Sequence, residues 1–189
     1  AWSISQLMAT IGTYQIRTYQ ATDVKETFSF KQYFMFRTIT VILMSVSSFC
    51  YIMIKNYGMY KAAVIMILCL FRAVDSLADV YEGWFQQKER LDLAGKAMTY
   101  RIVIAVIAFG ITLAFFQNLI ISCLALLGVY SFCLFCFNVR YTLTVDILKP
   151  GITKIEGVKW IWKMLKEGTP LFINAFLMMS ITNTPKMGI

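Results

Sequence analysis

Arg72, Asp75 and Asp79 are the only charged residues of a twenty-residue run, AAVIMILCLFRAVDSLADVY, that lies between Lys61 and Glu82. With Glu82, Gln86 and Arg90 they follow one another at spacings of 3, 4, 3, 4 and 4, which at ~100° per residue puts all six on one stripe of a helix. At ~1.5 Å per residue the run reaches roughly 30 Å, the thickness of a bilayer's hydrocarbon core. Arg72 falls near its midpoint, where a charge costs at least ~2.5–3.5 kcal/mol and persists where it faces protein, water or an opposite charge. The chemistry on offer is that of a polar path. A guanidinium fork donates to phosphate or carboxylate oxygens, and two carboxylates pair with it or carry a coupling proton or cation.

The rest of the chain must supply a membrane setting for that stripe. Hydrophobic residues make up 59% of the 189, charged residues only 15%, and the mean hydropathy is +0.65, far too apolar for a water-soluble domain of this length. The chain is read as an integral membrane protein. A net charge of +8 invites a nucleic-acid reading, but the Lys and Arg residues collect in short segments between apolar runs, so no nucleic-acid partner is expected. Histidine is absent, which removes the commonest metal ligand and general base, and no cofactor is expected. All five cysteines lie inside apolar runs, and Cys133-x-x-Cys136 reads as small packing residues rather than a redox or zinc site.

The fold class expected is all-α, a polytopic helical membrane protein. Spans are expected at about 1–16, 33–54, 62–81, 102–117 and 119–139, followed by a cytoplasmic linker over 140–169 and a further apolar run over 170–189 that begins at Pro170, a helix-start residue. The uncharged stretch Ile102–Val139 is 38 residues long, roughly 57 Å as one helix, so it must fold into a hairpin, with Gln117-Asn118 as its turn. Both ends of the chain run through apolar stretches, and the sequence reads as a central piece of a larger polytopic protein. Within the linker, Ile155, Val158, Ile161, Trp162 and Leu165 share one helical side and Glu156, Lys159, Lys163, Lys166 and Glu167 the other. Such a helix should lie along the membrane surface, with Trp160 and Trp162 in the interfacial zone and its lysines against anionic membrane lipids.

Three stretches carry a resemblance: TYQIRTYQATDVKETFSFKQY, DSLADVYEGWFQQKERLDLAGKAM and GTPLFINAFLMMSITNTPK. Together they resemble the polysaccharide-biosynthesis flippases of the multidrug/oligosaccharidyl-lipid/polysaccharide exporter superfamily. The most specific pieces are Asp75-Ser76-Leu77-Ala78-Asp79-Val80 with Gln86-Gln87-Lys88 and Arg90, and Pro170-Leu171-Phe172 with Asn183-x-Pro185-Lys186. The resemblance implies two six-helix bundles facing each other across a cavity, of which this chain would form part of the first, the linker and the start of the second. It further implies a flippase that moves an undecaprenyl-diphosphate-linked oligosaccharide across the bacterial inner membrane for capsule, O-antigen or related polysaccharide assembly. The candidate substrate pathway is then Arg72, Asp75 and Asp79, joined by Arg37, Asn183 and Lys186. Two roles stand open for Arg72: contact with the diphosphate, or neutralisation of Asp75 as a structural pair. The alternative function is a membrane-embedded polymerase or glycosyltransferase acting on polyisoprenyl-linked glycans, for which Asp79, Glu82, Glu89 and Asp92 are the acids in position. A purely structural membrane subunit is the third reading.

Orientation follows from the cations. Segments 17–37, 88–101 and 140–166 hold fourteen Lys and Arg residues, whereas the alternate connections hold only Lys55 and Lys61, so the first group is assigned to the cytoplasm. Cysteines placed at Asn56 and Asn118 should therefore react with a membrane-impermeant thiol reagent from outside sealed cells, and one at Ala94 or Thr153 should not. Labelling of the cytoplasmic set in intact cells would overturn the topology.

Overall fold

The computed structural model describes residues 1–23, 26–144 and 159–187, and among these every regular element is helical. In order they are α1 Trp2–Thr13, α2 Ile16–Thr22, α3 Phe30–Lys55, α4 Met59–Gln87, α5 Leu91–Phe116, α6 Leu119–Cys133, a π-helical segment Leu134–Val139, α7 Arg140–Thr144 and α8 Lys159–Met187. Among the described residues three stretches are long and apolar enough to cross a membrane: Phe30–Lys55, Leu91–Phe116 and Leu119–Leu143. The chain is accordingly a helical membrane protein. At 29 residues, α4 reaches roughly 43 Å and matches these spans in length, but its charges set it apart.

Local chemistry sets the helix ends. Ser29 opens α3 with a capping box, in which its hydroxyl accepts from the Gln32 N–H while the Gln32 side chain accepts from the Ser29 N–H at 2.9 Å. Asn56 closes α3 in the left-handed region (φ 46°), a conformation Asn tolerates, and three residues later α4 begins. The expected turn at Gln117-Asn118 is present. Gln117 is left-handed, and the Asn118 side chain accepts from Ile120 N–H at 3.0 Å, so α5 and α6 pack as a two-residue antiparallel hairpin.

Helix α4 is the hub, in contact with α1, α2, α3, α5 and α6. On one side Ile65, Cys69 and Ala73 pack with Ile4 and Met8 of α1 and Val41, Met44 and Ile52 of α3. On the other, Phe71 meets Ala105 and Tyr130, and Val64 and Leu68 meet Cys123. Glycine permits two of these approaches. A Cβ on Gly83 would lie 2.6 Å from the Gln20 side-chain oxygen, and one on Gly12 would lie 2.7 Å from the Met44 sulfur.

Polarity is distributed inside out. Met35, Ile39, Ile42, Val46, Phe49 and Met53 form one exposed line along α3, and Ile102, Val103, Val106 and Ile107 are exposed on α5. Arg37, Glu82 and Arg101 meanwhile are 0%, 1% and 3% exposed. In water this arrangement would be costly on both counts, whereas in lipid the apolar surface is solvated and the charges are hidden.

Several expectations need correction. The segment 88–101, taken as a loop, is helical from Leu91, so α5 begins eleven residues before the expected Ile102 and Arg101 lies inside it. Ala94 is buried, so Gly95, exposed and with open space around its Cβ position, replaces it as the cytoplasmic labelling site. Pro170 does not start a helix. Helix α8 runs through it, because packing on both sides, Met164 below and Phe172 on Tyr14 above, outweighs one missing backbone hydrogen bond. The expected surface-lying helix falls partly outside the described residues, and its described part is the first two turns of α8. Of its two tryptophans only Trp162 is exposed, whereas Trp160 is buried against Ile16, Phe28 and Tyr33.

Candidate functional site: an alternating charge chain on α4

All three acids of the α4 stripe are held by guanidinium groups brought from three other helices and from α4 itself. Arg72 Nη1 lies 3.4 Å from Asp75 Oδ2, and Arg101 Nη2 of α5 lies 3.2 Å from Asp75 Oδ1. Arg101 Nη1 continues to Glu82 Oε1 at 2.7 Å, and Glu82 Oε2 to Arg17 Nη1 of α2 at 3.2 Å. Arg17 Nη1 also meets Asp79 Oδ1 at 2.6 Å, and Asp79 Oδ2 meets Arg37 Nη2 of α3 at 2.9 Å. The sequence of contacts is Arg72, Asp75, Arg101, Glu82, Arg17, Asp79, Arg37. Charges alternate along it, begin and end on arginine, and leave a formal surplus of one positive charge.

Depth follows from helix position. Because α4 runs antiparallel to α3 and α5, residues near its end share a level with residues near their starts. Arg37 lies seven residues past the start of α3, Arg101 ten past the start of α5, and Asp79 and Glu82 eight and five before the end of α4. At ~1.5 Å per residue the cluster sits roughly 8–15 Å inside the helix ends on one side, and Arg72 sits deeper, at mid-helix. Arg90 does not join it. It pairs with Asp92 at 3.0 Å in the open.

The two ends of the chain differ. Arg37 is wholly enclosed, and its Nη1 donates to the carbonyl of Gly12 at 3.2 Å and to that of Thr13, the electronegative C-terminal end of α1. Arg72 holds one carboxylate, at the longest distance of the set. Its guanidinium lies over the Trp2 ring, 4.6 Å from the centroid, and its buried Nε, like those of Arg37 and Arg101, has no hydrogen-bond partner among the described residues. Arg37 is therefore a structural anchor, and Arg72 is the most loosely held guanidinium of the chain of contacts.

Two backbone irregularities aim the side chains. Tyr14 and Gln15, with φ of 43° and 51°, are consecutive left-handed residues that separate α1 from α2 and turn α2 so that Arg17 reaches α4. Neither is glycine, so each costs of order 1–3 kcal/mol that surrounding contacts must offset. Those contacts come from α8. The Tyr14 hydroxyl lies 3.0 Å from Thr169 Oγ1, and its ring stacks on Phe172 with centroids 4.6 Å apart. The π-helical segment rotates Asn138 inward, where its amide donates to the Ala78 carbonyl at 3.3 Å, one residue from Asp79.

Of the expected pathway residues, Arg37, Arg72, Asp75 and Asp79 are brought together. Asn183 is not with them, since its amide donates within α8 to the Met179 carbonyl at 2.9 Å. The Lys186 side chain lies outside the described residues. Arg17 and Arg101 were counted as loop cations, and both belong to the site instead. Setting them and Arg37 aside leaves eleven cations against two, so the orientation argument keeps its sign. No family model matches the chain, and neither the curated proteins nor the solved structures contain a match to it.

Because Arg101 bridges two carboxylates at 3% exposure, removing its charge leaves Glu82 buried with only Arg17. Arg101→Met should destabilise the protein by ~3–5 kcal/mol, whereas Arg72→Met, which takes one long contact from the half-open Asp75, should cost less than half of that. Denaturant unfolding in mixed micelles measures both. Equal losses would contradict the bridging role.

Proposed function

We propose that this chain is part of a flippase for a lipid-linked oligosaccharide, moving a diphosphate-bearing polyisoprenyl carrier across the bacterial inner membrane for surface polysaccharide synthesis. The observation that carries the reading is the surplus positive charge, left at Arg72, within helices whose outward faces are apolar. A diphosphate passing through a low-dielectric interior needs a fixed cationic donor there, and Arg72 is the most loosely held guanidinium, at mid-helix. A cargo must also leave again, which favours one loosely held guanidinium over a pocket of several. Asp75 is the most open of the three acids, its side chain 30% exposed against 19% for Asp79, and suits the coupling proton or cation. The resemblance in sequence supplies the cargo class. Asp79 and Glu82, two of the acids a glycan enzyme would use, are each held between two guanidiniums and less open than Asp75, which suits general acid–base work poorly and favours transport over the glycan-enzyme reading.

In a strain lacking its flippase and supplied with the whole protein, Arg72→Ala should reduce polysaccharide export at least about tenfold at matched expression, and Arg72→Lys should restore only part, because it loses the planar fork. Asp75 keeps Arg101 as a partner when Arg72 is removed. The double change Arg72→Ala with Asp75→Ala should therefore remain inactive. Recovery of export in the double variant would mean that Arg72 only neutralises Asp75, and would overturn the cargo role.

A further inference from the structure

The first two turns of α8 present a face that the charge chain does not use. Trp160 and Met164 anchor these turns in the cluster formed by Ile16, Phe28 and Tyr33, so the rotation of the helix is fixed. On the exposed side Lys159, Lys163 and Lys166 lie within an arc of about 60°, with the exposed Glu167 at one edge and Trp162, 74% exposed, at the other. None of the three lysines pairs with a carboxylate among the described residues. The Lys163 ammonium lies 5.6 Å from the Phe28 ring centroid, over the edge of that cluster, while the residue as a whole stays exposed.

The same line continues along α8 and changes character. From Lys159, Lys163 and Lys166 it passes Pro170 and becomes Ile173, Leu177 and Ile181, all three exposed. One continuous exposed face thus switches from cationic to apolar at Pro170. A helix lying flat on a membrane would carry its polarity boundary along its length, one side against the other. A boundary across the axis means that the helix passes through the interface. Lys166 then lies roughly 6 Å beyond the apolar edge and Lys163 roughly 10 Å, within reach of a headgroup layer about 5–8 Å thick given the length of a lysine side chain.

We infer that Trp162, Lys163 and Lys166, with Lys159 below them, form a docking surface for anionic phospholipid headgroups of the cytoplasmic leaflet. Charge complementarity and the apolar continuation select this occupant. An acidic soluble protein would satisfy the lysines but not the Ile173, Leu177 and Ile181 line immediately beyond them. The surface is independent of the cargo assignment, since it requires only that α8 meet a bilayer. It also bears on the charge chain, because the next turns of α8, through Thr169 and Phe172, hold Tyr14 at the break that aims Arg17.

The test reconstitutes the full chain in phosphatidylcholine nanodiscs containing, at equal mole fraction, either phosphatidylglycerol or phosphatidylcholine spin-labelled at the headgroup. Quenching of Trp162 is isolated by subtracting the signal of Trp162→Phe. Labelled phosphatidylglycerol should quench at least about fivefold more effectively, the increment that one lysine near an anionic surface supplies. The preference should fall towards one in Lys159→Gln/Lys163→Gln/Lys166→Gln and at high salt, and should persist when the three lysines become arginine. Equal quenching by both lipids in the wild type, or a preference that survives the glutamine variant, would overturn the proposal. Absence of quenching by either lipid would overturn it too, by placing the face in water or against another protein.

Discussion

Three carboxylates on one helix, withdrawn from water, must each find a cation, and the architecture is arranged around that requirement. In the interior an unpaired carboxylate costs several kcal/mol, far more than any single packing contact in this chain returns. Helix α4 cannot supply the partners alone, since Arg72 is its only cation within reach of the stripe. Three further guanidiniums are therefore drawn from α2, α3 and α5, and their positions along those helices determine how each helix is set against α4. Arginine suits every one of these places. Its fork touches two acids at once, as Arg17 and Arg101 both do, and it stays charged when buried.

The unusual backbone features follow from the same need. Short α2 would not reach α4 if α1 ran on straight, and the paired left-handed residues Tyr14 and Gln15 redirect it. Gly83 removes the Cβ that would otherwise meet Gln20, so the approach closes far enough for Arg17 to span Asp79 and Glu82. The carbonyls of Gly12 and Thr13 at the end of α1 then serve a second purpose, receiving Arg37. On the far side of α4 the π-helical segment inserts Asn138 against Ala78 at the level of the acids. Strain and close approach are concentrated around the charges, whereas the lipid-facing lines of α3 and α5 are regular helix throughout.

Much of this was legible in the sequence, for reasons that can be named. The spacing of Arg72, Asp75, Asp79 and Glu82 is local and periodic, so their shared face could be read directly, and the uncharged length of Ile102–Val139 forced a hairpin at Gln117-Asn118. What escaped was long-range or depended on tertiary override. Arg17 and Arg101 lie 62 and 26 residues from the acids they contact, and each follows enough polar residues to look like a loop cation. A depth argument would have found Arg101. Three acids near the end of an antiparallel helix require cations two to three turns past the starts of its neighbours, where Arg101 stands in α5 as the already named Arg37 does in α3. Pro170 misled because a proline is a strong local stop signal, and only the docking of Met164 and Phe172 on either side of it reveals one continuous α8.

The central claim is that charge pairing across helices, rather than apolar packing alone, holds this bundle together. A double-mutant cycle on Arg37 and Asp79 tests it most directly, because Arg37 is wholly enclosed and belongs to a different helix from its partner. Arg37→Gln, Asp79→Asn and the double variant would be unfolded under one lipid–detergent condition. A coupling energy of about 2 kcal/mol or more, with the double variant far less damaged than the singles sum to, is the result expected of a buried ion pair. Additivity within about 0.5 kcal/mol would show that the two charges act independently, and would contradict the account.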